Sequence, residues 1–145
     1  MSGHWEIDEG HVDSAEFFGA LFDLCPEATT LYAEGCAMAD DVMDCYLLHA
    51  QPGEFLPGAN TIWPISKKFR CQFDSKLLGD LVALSNRHAE PELLDHLFIY
   101  AGAEPLLQWH DAFGNAMLLS NSLPEARIAS FANRLHLPYA KASYG

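Results

Sequence analysis

Two aspartates and two histidines stand in adjacent pairs in the last third of the chain, Asp95-His96 and His110-Asp111, with Gln108 and Trp109 just before the second pair. Imidazole exchanges its proton near neutral pH, and a carboxylate hydrogen-bonded to it fixes its tautomer and orientation. Such a pair is a candidate for general acid–base work. His110 would be the acid–base group, Asp95 or Asp111 would orient it, and His96, Gln108 and Trp109 would line a ligand pocket. Two histidines facing each other beside a carboxylate would instead suit a transition metal. The more economical reading is structural: a half-buried Asp–His pair satisfies itself within a sheet, and Trp109 is a core aromatic with its indole N–H paired.

Strand register decides between these chemistries. Segments 93–100, 106–113 and 116–121 read as three short strands, separated by Ala101-Gly102-Ala103-Glu104 and by Gly114-Asn115. A hairpin turning at Gly102-Ala103 places Asp95 opposite His110 and His96 opposite Trp109. A shift of one residue brings His96 opposite His110 and reverses the logic. A two-residue turn at Gly114-Asn115, where positive φ is tolerated, places His110 opposite Leu119 and Asp111 opposite Leu118.

Other reactive side chains carry weaker signals. Cys45 and His49 are four residues apart, a spacing that can set two metal ligands on one helix face, but no second ligand pair in the sequence completes a site. They read as the margin of a core, and no metal or other cofactor is expected. His4 and His11, among acids near the N-terminus, read the same way. Cys25, Cys36, Cys45 and Cys71 contain no Cys-x-x-Cys and read as free, mostly buried thiols in a reducing cytoplasm. Gly-x-Ser-x-Gly, a phosphate-cradling glycine loop and a dinucleotide fingerprint are all missing.

These residues ride on a chain of 145 with 50% hydrophobic and 19% charged residues, enough to build a core and too apolar for intrinsic disorder. No basic, apolar leader opens it and no run of membrane-spanning length occurs. The net charge of −12 is unevenly placed. Residues 1–66 hold twelve acids and no Lys or Arg, whereas the eight acids and eight bases of 67–145 cancel. A field of that sign repels nucleic acid and anionic membranes and speeds encounter with a basic protein. Lys67-Lys68-Phe69-Arg70, the one basic cluster, pairs more simply with the acidic half than with a nucleic acid.

Local pattern supplies the elements. Asp13-Ser-Ala-Glu16 has capping-box spacing ahead of an apolar helix ending before Pro26. Residues 29–33 are β-branched and aromatic and read as a strand, 38–50 as a helix with Asp40, Asp41 and Asp44 on its polar side, and 69–73 as a strand. Asp74 or Ser75 caps a helix reaching about residue 88, and Ser122-Leu-Pro-Glu125 opens a last one. Segment 51–66, with Pro52, Pro57 and Pro64, reads as an irregular excursion. Its Phe55, Leu56, Ile62 and Trp63 are too apolar for a free linker, and they should pack across the core. Helix-then-strand occurs twice (17–35 and 77–102), but the likeness is too short for a repeat architecture. The order predicts one α+β domain over 1–145, helices on a mainly antiparallel sheet with a C-terminal three-stranded meander.

Three functions follow as expectations. The first is a small acidic cytoplasmic protein that binds a basic protein partner through its N-terminal acidic surface. The second is a small-molecule binder or enzyme using Asp95, His96, His110 and Asp111. The third is a homodimer subunit that buries 55–63.

Overall fold

The computed structural model describes residues 3–53 and 67–143. Its framework is a seven-stranded antiparallel sheet in the order β3-β2-β4-β5-β6-β1-β7. The strands are β1 (Gly3–Ile7), β2 (Thr30–Gly35), β3 (Lys67–Gln72), β4 (His96–Ala101), β5 (Glu104–Trp109), β6 (Met117–Ser120) and β7 (Tyr139–Ser143). The helices are α1 (Ser14–Leu24), α2 (Asp40–Leu48), α3 (Ser75–Ser85), α4 (Glu90–Leu93) and α5 (Glu125–Leu135). This is the expected α+β class, and β4, β5 and β6 form the expected meander. The apolar segment expected to pack across the core, with Phe55, Leu56, Ile62 and Trp63, lies outside the described residues.

Local chemistry explains the helix starts. Asp13 accepts from the Glu16 amide at 2.9 Å, and Asp74 accepts from the Leu77 amide at 2.9 Å. Each satisfies one of the amide donors that a first turn leaves open. The start of α5 differs from expectation. Pro124 takes the cap position without a side-chain bond, and Ser122 turns away to donate to Glu104 at 2.5 Å.

β1 and β7 were not foreseen. Trp5 and Ile7 point into the core while His4 and Glu6 point out, an alternation only four residues long. That N-terminal strand is held on both sides, by β6 and by β7. The edge strands β3 and β7 carry Lys67, Lys68, Arg70 and Lys141, and charge on an edge discourages pairing with another chain. The basic cluster thus lies on a sheet edge.

Helices α1, α3 and α5 pack together over one face of the sheet. Phe17 is fully buried where they meet it, with ring centroids 4.7 Å from Trp109 on β5 and 5.9 Å from Phe131 on α5. Burying such a side chain stabilises the fold by about 2–3 kcal/mol. The opposite face holds a second, smaller buried cluster of Tyr32, Phe98 and Tyr100. With both faces covered, β2 is buried at every position. α2 docks at the β3 side, where Tyr46 stacks on Phe69 at 5.3 Å and its hydroxyl donates to the Leu93 carbonyl at 2.8 Å.

Two register expectations are corrected. The first hairpin does turn at Gly102, whose φ of 59° suits a residue without a Cβ, and Ala101 pairs with Glu104. The register then shifts between Ile99 and Tyr100, because Leu106 is an extra residue on β5. Beyond this bulge Leu97 faces Trp109 and Phe98 faces Gln108, so Asp95 does not oppose His110, nor His96 Trp109. The second connection is not a two-residue turn. β5 ends at Trp109, and Leu107 and Gln108 face Leu119 and Leu118 in place of His110 and Asp111. Asp111 and Phe113 adopt positive φ, and Phe113 tucks beneath the helices, 4.7 Å from Trp109 and 6.1 Å from Phe17. Packing of that half-buried ring on Trp109 and Phe17 takes the place of the tight turn that Gly114-Asn115 could have made.

Candidate functional site

The bulge in β5 brings His96 beside His110, with ring centroids 5.9 Å apart, and Phe98 packs 5.0 Å from the same His110 ring. The Asp111 amide donates to His96 Nδ1 at 2.9 Å, so the ring proton of neutral His96 is on Nε2. His96 thereby holds a turn whose Asp111 has φ 49°. Neither aspartate reaches an imidazole. The Asp95 carboxylate accepts from the Cys36 amide at 2.9 Å and pins the segment after β2, and Asp111 is exposed. Trp109 lies on the other face, fully buried, its indole N–H donating to the Asn115 carbonyl at 2.8 Å.

The cluster is therefore split among different surroundings. A depression of about 320 Å³ adjoins Asp95 and Asp111, lined also by Pro91, Leu94 and Phe113. A separate groove of about 540 Å³ holds Gln108 with His4, Leu118 and Ser120. His110 lines neither. At the rim of that groove Ser122 and Ser120 donate to Glu104 and hold its carboxyl below the usual carboxylate range. Among the described residues neither His96 nor His110 has a carboxylate partner; in the groove it is His4, opposite Ser120, that pairs with a carboxylate, Glu6, at 3.0 Å.

The acidic half also rearranges in three dimensions. Bases from the later half of the chain fold back on it: Arg127 pairs with Glu27 at 3.0 Å, and Arg134 reaches Glu16 at 3.0 Å and Asp23 at 3.7 Å. Asp41 is engaged by His88 at 2.7 Å and by Arg87 at 3.7 Å. The His88 hydrogen bond lowers the Asp41 pKa, and the same bond raises that of His88. Glu34 is buried within β2. Asp40 and Asp44 remain exposed, with no ion-pair partner among the described residues.

α2 carries a feature that charge counting misses. Asp40, Asp44, Leu47 and Leu48 recur at helical spacing on its outer side, while Val42, Cys45 and Tyr46 face the core. Leu47 is 60% exposed and Leu48 73%. Leu47, Asp40 and Asp44 line a shallow concavity together with Met43, Lys67, Lys68 and Phe69. Two neighbouring exposed leucines rimmed by exposed acids make an apolar centre with a charged border, the usual anatomy of a protein-docking patch. The signal was present in the sequence, since Leu47 and Leu48 fall outside the apolar arc of the helix.

No helix is long and apolar enough to cross a membrane among the described residues, and all four cysteines are free, Cys36 alone being exposed. Comparison with known proteins finds no matching family model, no matching curated protein and no matching solved structure.

Proposed function

We propose that the protein acts by binding a basic protein partner through the outer face of α2. The observation that carries this reading is the pair of exposed leucines, Leu47 and Leu48, beside the exposed Asp40 and Asp44. The leucines supply apolar area to bury, and the carboxylates steer a cationic surface toward it and set its register. The same acids repel nucleic acid and anionic lipid.

Capture from a source-cell extract, repeated at low and high salt with wild type and with the Leu47→Ala/Leu48→Ala and Asp40→Asn/Asp44→Asn variants, tests the reading. A basic protein should be held by wild type, released by salt and lost from both variants. Retention of the same proteins by all three baits at either salt would sink it.

A further inference from the structure

We propose that Cys45, His49 and Asp80 form a binding site for one divalent cation of the zinc class, with water as the fourth ligand. The site is independent of the docking face, since Cys45 and His49 turn away from Leu47 and Leu48 toward α3.

Each residue can offer one donor atom, a thiol sulfur, an imidazole nitrogen or a carboxylate oxygen, and the three lie within 4.8 Å of one another. Two come from the end of α2 and the third from the middle of α3, so packing of the two helices assembles the set. His49 is held at the helix end with its side chain only 8% exposed, and its Nε2–H donates to Asp80 Oδ2 at 2.7 Å. With metal–ligand bonds of about 2.0–2.3 Å, tetrahedral ligands stand roughly 3.3–3.7 Å apart. Opening the His49–Asp80 contact by roughly 0.6 Å would therefore admit an ion. Asp80 is 43% exposed, which gives its carboxylate room to move and leaves the fourth position open to water.

The cysteine supplies a second argument. The other two buried thiols donate to backbone carbonyls, Cys25 to Leu21 at 3.3 Å and Cys71 to Tyr46 at 3.4 Å. Cys45, 8% exposed where those two are 0%, has no hydrogen-bond partner among the described residues. Asp80 and Asp41 lie close enough to its thiol to act on it through their charge. The same two carboxylates attract a cation. When one binds, metal–sulfur and metal–nitrogen bonds form, the thiol proton passes to solvent, and the His49 ring proton moves from Nε2 to Nδ1, freeing Nε2 as the ligand. A sulfur, nitrogen and oxygen set of this size suits borderline-soft zinc better than calcium or magnesium, which prefer oxygen alone.

Untagged, metal-stripped protein titrated with cobalt(II) gives the test. The expected result is saturation at one equivalent, with the strong visible absorption of a tetrahedral centre and a sulfur-to-cobalt charge-transfer band, both bleached by zinc. Cys45→Ser should lose the charge-transfer band. Asp80→Asn, whose amide oxygen can still accept from His49, should bind at least tenfold more weakly and lose the rise in Tm that zinc produces in wild type. Absence of the sulfur band in folded wild type would overturn the assignment. So would its survival in Cys45→Ser, or Asp80→Asn binding as tightly as wild type.

Discussion

Truncating Leu48 to alanine separates a docking residue from a structural one. The change removes three methyl or methylene groups, each contributing about 0.8 kcal/mol when moved fully out of water. Leu48 is 73% exposed, so only about a quarter of that is already realised in folding. The fold should lose about 0.6 kcal/mol, and a partner that covers the side chain should lose about 1.7 kcal/mol, a roughly 20-fold rise in Kd. For Leu47, 60% exposed, the same reasoning yields about 1 kcal/mol of stability and about 1.4 kcal/mol, or tenfold, of binding. The two are neighbours, so the double variant need not show the product of the two factors. Isothermal calorimetry against the captured partner and a urea melt of the free protein measure the two sides separately. Binding within twofold of wild type for both single variants, with unchanged melts, would refute the argument. A large loss of stability would show that the leucines are structural after all.

Four further outcomes are expected. Trp109→Phe deletes the indole bond to the Asn115 carbonyl and part of the ring packed on Phe17, and should lower the urea-derived stability by about 1–3 kcal/mol; an unchanged midpoint would count against the bond. His96→Ala removes the acceptor of the exposed Asp111 amide at a positive-φ residue and should cost about 0.5–1.5 kcal/mol in the same assay, whereas a neutral result would free His96 for another role. Because its folded pKa is raised above the ordinary 6.5, His88 stabilises the protein below that value, and the contribution fades as pH rises through the raised one. Asp41, lowered from 3.8, adds stability above that pH and loses it in acid. The stability gap between wild type and His88→Ala should therefore be widest between these limits and close toward alkaline pH; a gap independent of pH would contradict the pair. Brief alkylation of the native protein should give one adduct, at Cys36, since the other three thiols are buried; several adducts by intact-mass measurement would mean the core opens.

The parts of the site differ in how plainly the sequence showed them. Cys45 and His49 are visible as an i, i+4 pair, because both sit on one helix. Asp80 is not, since nothing local to it marks a ligand and only the packing of α3 on α2 brings it within hydrogen-bond distance of His49. The charge asymmetry was equally plain, but how much of it survives on the surface depended on where Arg127 and Arg134 come to rest.

The sequence by itself determined what depends on neighbouring residues. Asp13 and Asp74 cap the helices they precede, the apolar arcs of α1, α3 and α5 define one buried side, and the Gly102 turn starts the meander. These are short-range effects, complete within one or two turns of chain. Tertiary structure decided the rest. Packing of the half-buried Phe113 on Trp109 accompanies the longer second connection, and the bulge at Leu106 set His96 against His110 where an even ladder would have paired Asp95 with it. Strands β1 and β7, from opposite ends of the chain, exist because each completes the other's hydrogen bonds. Such pairings join residues far apart in sequence, and their stability comes from burial and ladder bonds that no local window contains.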